Sequence, residues 1–147
     1  MTTTELFALS TTQVQVLSST AVRALTPTQI RGLSSTQVGS VTTTDLSVLT
    51  TTVIAAFSTL QIKGLGPSQT GALTTSQTRI LSTTQLQGLS TTGVSALSTS
   101  SIAALSVGQL QSLTTTQIQS LGSTLVQAEL CGNLGDDGLR RAAYRGG

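Results

Sequence analysis

Apolar residues fall in two columns that repeat every eight positions. Leu occupies residues 9, 17, 25, 33, 49, 65, 73, 81, 89, 97, 105, 113 and 121, and Val41 and Phe57 fill the two gaps. A second column runs three residues ahead, from Leu6, Val14 and Val22 to Leu110 and Ile118, broken by Thr70 and Thr78. Residues 2–121 thus hold fifteen octads without insertion. A sixteenth, Gly122 to Glu129, keeps Val126 but ends in Glu where Leu belongs.

The octad reads Ser/Thr, Thr, Thr, Gln, Val/Ile, polar, small, Leu. Its first position holds Ser or Thr almost throughout, the residues preferred at a helix N-cap. Three residues on stand Glu5, Gln13, Gln29, Gln37, Asp45, Gln61, Gln69, Gln77, Gln85, Gln109 and Gln117. Ser/Thr-x-x-Gln/Glu is the capping box, in which hydroxyl and amide each satisfy one backbone N–H of the other. Both prolines, Pro27 and Pro67, fall on the second position, where a helix tolerates the missing N–H. Apolar residues at i and i+3 share a helix face, whereas in a strand they would point to opposite faces.

One continuous helix does not fit. Eight residues at about 100° each advance the stripe by about 80° per repeat, so it would wrap around the cylinder. Eight is not a coiled-coil period either. The pattern therefore predicts one very short helix per octad, closed by Leu and capped again by the next Ser/Thr. So short a helix is unstable alone, and stability must come from stacking. The expected fold is an all-α superhelical solenoid. Small residues at the seventh position, such as Ala24, Gly32, Gly64 and Gly88, are expected to let successive units approach closely. The rival is a β-solenoid, favoured by the Thr, Val and Ile content. The solenoid is assigned to residues 2–129 and a C-terminal cap or disordered tail to 130–147. Leu130, Leu134 and Leu139 could fold back over the last core layer. At the N-terminus the first octad starts at Thr2 with no cap, an open end expected to self-associate.

Composition changes this picture little. A third of the 147 residues are Ser or Thr, only 8% are charged, and neither His nor Trp occurs. Placed in phase, the hydroxyls are helix starts rather than linker filler. With five acids, one Cys and one Tyr, the chain has little material for acid–base, metal or nucleophilic chemistry. It is read as non-enzymatic, with no cofactor and no small-molecule substrate. Asp136 and Asp137 lack the further spaced ligands of a calcium loop.

Two surfaces remain as candidates. Hydroxyl pairs at the second and third positions, Thr11/Thr12, Thr43/Thr44, Thr51/Thr52, Thr83/Thr84, Thr91/Thr92 and Thr115/Thr116, could form rows that meet ice or carry O-linked sugars. The bland reading is a solvated face. The sixth position carries all four repeat cations, Arg23, Arg31, Lys63 and Arg79, as a candidate anion-binding strip or simply a solvent-facing column. Four cations in 120 residues are too thin for nucleic acid. Gln at the fourth position is read first as a cap, ahead of a ladder between stacked repeats. Cys131 is alone and forms no internal disulfide.

Runs such as Leu113-Thr-Thr-Thr-Gln-Ile-Gln-Ser-Leu121 resemble octad tracts of large bacterial surface or secreted proteins of adhesin type. The resemblance spans residues 2–121 and implies a bacterial origin and a structural or surface role. It brings no catalytic residue with it. The N-terminus has no basic and apolar leader of the Sec kind, and no run is long enough to span a bilayer. The expectation is a cytoplasmic protein or one exported by another route. It would act as a rod, spacer or scaffold that joins a protein partner or itself end to end, or as an adhesive or ice-binding surface.

Overall fold

The computed structural model describes residues 2–122. Fifteen short α-helices follow one another there, one per octad, from α1 (Thr3–Phe7) to α15 (Thr115–Ser120). No strand occurs among the described residues, so the helical alternative holds over the β-solenoid. The C-terminal cap or tail expected at 130–147, with Cys131, Asp136 and Asp137, lies outside the described residues.

Each helix starts and stops by the same local chemistry. The N-cap residue is extended, as at Ser34 (φ −70°, ψ 160°), and its hydroxyl accepts from the N–H three residues on. In α2 (Thr11–Gln15), Gln13 N–H donates to Ser10 Oγ at 3.2 Å, and Ser10 N–H donates to Gln13 Oε1 at 2.8 Å. Gly66 has no side chain to offer, so only the Gln69 half of the exchange remains there, at 2.9 Å. At the other end the Leu N–H bonds back three residues, as Leu33 to the Ile30 carbonyl at 3.1 Å. The chain then turns through extended backbone. No described residue other than glycine has positive φ, and among the described glycines only Gly122 does, at 74°. Gly122 stands in an N-cap position, where Gly66 keeps an ordinary φ of −78°. The regular backbone thus departs from its pattern where the sixteenth octad would begin.

The helices coil into a superhelix. Every helix packs against the helix three places further along, from α1 on α4 (Pro27–Arg31) to α12 (Thr91–Ala96) on α15. Hydrogen bonds between turns join residues 25 to 31 apart, so one turn takes close to 28 residues, between three and four octads. Both apolar columns face the axis. Leu6, Ile30, Leu46, Ile54, Ile62, Leu86 and Ile102 are fully buried, and from Leu33 onward the leucine column, with Val41 and Phe57, is 8% exposed or less. The two breaks in the pattern are absorbed without loss. Thr70 and Thr78 are fully buried, and each hydroxyl donates to the carbonyl four residues back at 3.0 Å.

The small seventh position works between turns rather than between successive units. A Cβ on Gly64 in the octad of α8 (Thr59–Lys63) would collide with the Ser35 carbonyl of α5 (Ser35–Ser40). One on Gly88 would lie 2.9 Å from Thr59 Cγ2. The expectation named the right residues but the wrong neighbour. The unit approached is three octads away, because the chain must close most of a turn before two helices stack.

Candidate functional site

The most organised polar feature is a ladder of buried glutamines. Gln37, Gln61, Gln69, Gln77, Gln85, Gln109 and Gln117 each sit at the fourth octad position and are 9% exposed or less. Each uses both ends of its amide. Oε1 accepts the N-cap N–H of its own helix, as Thr74 N–H to Gln77 Oε1 at 2.9 Å. Nε2 donates to the preceding turn, as Gln77 to the Leu46 carbonyl at 3.0 Å and the Leu49 carbonyl at 2.8 Å. The carbonyl 28 residues back is bonded in all seven cases, at 2.6–2.8 Å. These carbonyls end a short helix and have no partner within it, so the amide supplies the donor they lack. Capping and laddering are therefore one arrangement, and the cap-first reading of these residues stated only half of it. The signal was present in the sequence: Ser or Thr alone can cap, so a Gln at nine of the fifteen fourth positions asks for a second use.

Between Gln37 and Gln117, four octads depart from the ladder in two adjacent pairs, at Asp45 and Val53 and at Gly93 and Ser101. Asp45 is 5% exposed and accepts from Ser19 Oγ at 2.8 Å and from Thr42 Oγ1 at 2.6 Å. A carboxylate has no N–H for the turn below, and two hydroxyls from outside the ladder satisfy it instead. No buried side-chain N or O among the described residues lacks a partner.

The candidate hydroxyls are on the surface. Thr11, Thr12, Thr43, Thr44, Thr51, Thr52, Thr83, Thr84, Thr91, Thr92, Thr115 and Thr116 are all exposed. Within an octad the third-position hydroxyl meets the cap, as Thr84 Oγ1 with Ser82 Oγ at 3.0 Å and Thr116 Oγ1 with Thr114 Oγ1 at 3.1 Å. Between octads the superhelix separates them. At about 28 residues per turn, successive octads face directions a little over a right angle apart, and octads seven apart face the same way. No two of the six Thr pairs are seven octads apart. The complete pairs are thus distributed around the superhelix.

The four cations are also exposed. Arg23 and Arg79 are seven octads apart and share a side, while Arg31 and Lys63 are four apart and lie on another. Arg31 Nε donates to the Ala56 carbonyl of the next turn at 3.4 Å, a favourable place for a cation at a helix C-terminus. Glu5 is exposed at the first turn, and the Thr2 N–H bonded to it at 2.7 Å holds its carboxyl below the ordinary range.

An open groove between turns is lined by Gln15, Ser40, Thr42, Thr43, Ser68 and Gln69 among others, none of them titratable. Among the described residues no three of His, Cys, Asp and Glu gather in one place. No helix there is long and apolar enough to cross a membrane.

Residues 41–75 match a protein-family model described as the ALTTAQ repeat. That stretch contains four whole octads, including α6 (Thr43–Val48) to α9 (Pro67–Gly71), and the match supports a repeat tract there. Among curated proteins and among solved structures, none matches the chain.

Proposed function

We propose that the chain is a non-enzymatic structural repeat protein, a short rod that acts as spacer or scaffold for what lies at its ends. The observation that carries this reading is the constancy of the glutamine register. From Gln37 to Gln117 each laddered amide meets the carbonyl 28 residues back, so every turn is fixed on the last in one way. A solenoid with identical nearest-neighbour contacts is stiff and grows in length without changing its cross-section. At the ~8–10 Å separation of packed helices, the fifteen octads make a rod on the order of 40 Å long. The resemblance to adhesin-type octad tracts supports a surface-exposed bacterial setting for it.

Distance measurement between spin labels tests this. Thr11→Cys and Thr115→Cys, with Cys131→Ser, place labels at the two ends of the described tract. A single narrow distance on the order of 35–40 Å is expected; a broad distribution would show a flexible string and overturn the rod. The alternative, a surface that binds through hydroxyls, is supported by the exposure of all twelve threonines. Thermal hysteresis measurements discriminate its ice-binding form, since a spacer has no effect on ice growth.

A further inference from the structure

We propose that the rod carries a one-sided joint, at the boundary where the octads of α12 and α13 (Thr99–Ala103) stack on the turn below. Gly93 and Ser101 stand there in neighbouring ladder positions, and neither bridges the turns. Gly93 has no side chain, and the Ser101 hydroxyl meets Ser98 Oγ of its own octad at 2.9 Å. The Leu65 and Leu73 carbonyls, 28 residues back, accept no hydrogen bond among the described residues. Their counterparts at Phe57 and Leu81 are bonded by Gln85 and Gln109 at 2.7 Å. The core is polar at the same boundary. Thr70 and Thr78, the two breaks in the apolar column, lie 23 residues before Gly93 and Ser101. A Cβ on Gly93 would stand 3.2 Å from Thr70 Oγ1, and one on Gly71 2.9 Å from the Ala96 carbonyl. α9 and α12 therefore meet closely, through glycine, threonine, alanine and backbone. Such a contact exposes little apolar surface when it separates, so opening costs correspondingly little.

The other interruption of the ladder, at Asp45 and Val53, lacks this combination. Ser19 Oγ donates across the turns to Asp45 at 2.8 Å, and the residues 23 back are the buried Val22 and Ile30. A ladder gap and a polar core coincide only at Gly93 and Ser101 among the described residues. The gap takes up two of the three to four octads in a turn. Gln85 before it and Gln109 after it hold the rest. The boundary thus opens as a wedge and bends the rod about its laddered side, as a hinge does. α12 and α13 are too short to persist unstacked, so their amides lose protection on opening. A spacer built in this way yields at one set place rather than along its whole length.

The joint rests on the rod reading and concerns a minor open state, so the narrow end-to-end label distance is kept. Hydrogen exchange of the full chain at neutral pH, followed by mass spectrometry, tests it. With two ladder bonds missing, residues 91–105 should exchange roughly tenfold faster than residues 75–89. They should also outpace residues 107–121, whereas fraying from the C-terminal side gives the reverse order. Ser101→Gln offers a donor to the Leu73 carbonyl and should slow residues 91–105 by roughly fivefold. Gln85→Ser copies Ser101 into a laddered turn and should speed residues 83–89 by a similar factor. It decides the matter if Ser101→Gln loses its far-UV dichroism. Equal protection across 75–105, fastest exchange at 107–121, a folded Ser101→Gln with unchanged exchange, or an ineffective Gln85→Ser overturns the joint. Uniform protection with one narrow label distance leaves the rod standing; a broad distance removes the rod and the joint with it.

Discussion

Gln77→Met tests the ladder directly. Methionine has nearly the length of glutamine and fills the same space, but offers neither the acceptor nor the donor. The change removes the Thr74 N–H bond to Oε1 at 2.9 Å and the three Nε2 bonds to the Leu46, Ser47 and Leu49 carbonyls at 3.0, 3.4 and 2.8 Å, the Ser47 bond being the longest and only partly buried. The Leu46 carbonyl keeps the Leu49 N–H at 3.3 Å, so the Leu49 carbonyl is the acceptor left bare. Leu49 is 4% exposed, and water reaches it poorly. An unsatisfied buried acceptor costs about 1–3 kcal/mol. The lost half of the cap adds at most about 1 kcal/mol, since Thr74 itself is exposed.

The same substitution at Gln13 is the internal control. There only the Ser10 N–H bond at 2.8 Å is lost, at an exposed site, for about 1 kcal/mol or less. Urea unfolding followed by far-UV circular dichroism should therefore place Gln77→Met about 1–3 kcal/mol below Gln13→Met. Its transition should also broaden, because the ladder couples neighbouring turns and a solenoid unfolds as coupled units. Equal shifts for the two variants would mean that the amide acts only as a cap, and the ladder would then contribute nothing to stability.

Gly64→Ala should destabilise by about 1–3 kcal/mol, because the new methyl meets the Ser35 backbone carbonyl rather than a side chain that can move; thermal melting measures it. Thr70→Val should be neutral or stabilising by up to about 1 kcal/mol, since the Gly66 carbonyl that accepts the hydroxyl keeps the Thr70 N–H at 2.9 Å. Gln77→Glu should make stability depend on pH. Its carboxylate would face two carbonyls, which raises its folded pKa above the ~4.3 of the unfolded chain. The protonated acid can donate in place of the amide, so stability near that of the wild type is present below the unfolded pKa and lost as pH rises through the folded one. Urea midpoints at acidic and neutral pH check it, and a flat profile would refute the facing carbonyls.

Secondary structure was legible because the octads state it repeatedly, in cap and apolar spacing along the tract and in Pro position at Pro27 and Pro67. Ser34, Gln37, Val38 and Val41 alone predict where α5 starts, which face it buries and where it ends. The superhelical turn was not legible. The offset of 28 residues is set by how sharply the extended cap residues redirect the chain, and nothing in an eight-residue motif counts how many such bends close a circle. For the same reason Gly64 could be recognised as a contact point, but not assigned to Ser35. The surface columns fared likewise. Arg23, Arg31, Lys63 and Arg79 are one column in the repeat, yet the turn divides them between two sides. A row in the octad becomes a row in space only when octads and turns are commensurate.

The ladder also accounts for the strict phase of the tract. Gln77 reaches Leu49 and Leu46 because 28 and 31 residues separate them. One residue inserted at position 60 would change both separations, and also those of Gln61, Gln69 and Gln85, whose acceptors lie before the insertion. Four ladder amides would lose their acceptors together, along with every helix contact across that turn. Each lost bond costs about 1 kcal/mol or more, so the sum approaches the whole margin of an ordinary domain. A full octad inserted at the same place leaves each helix with neighbours three and four octads away, and those neighbours present the same groups. The chain can therefore lengthen in units of eight and in little else, a constraint that comes from the distance between turns and not from any single repeat.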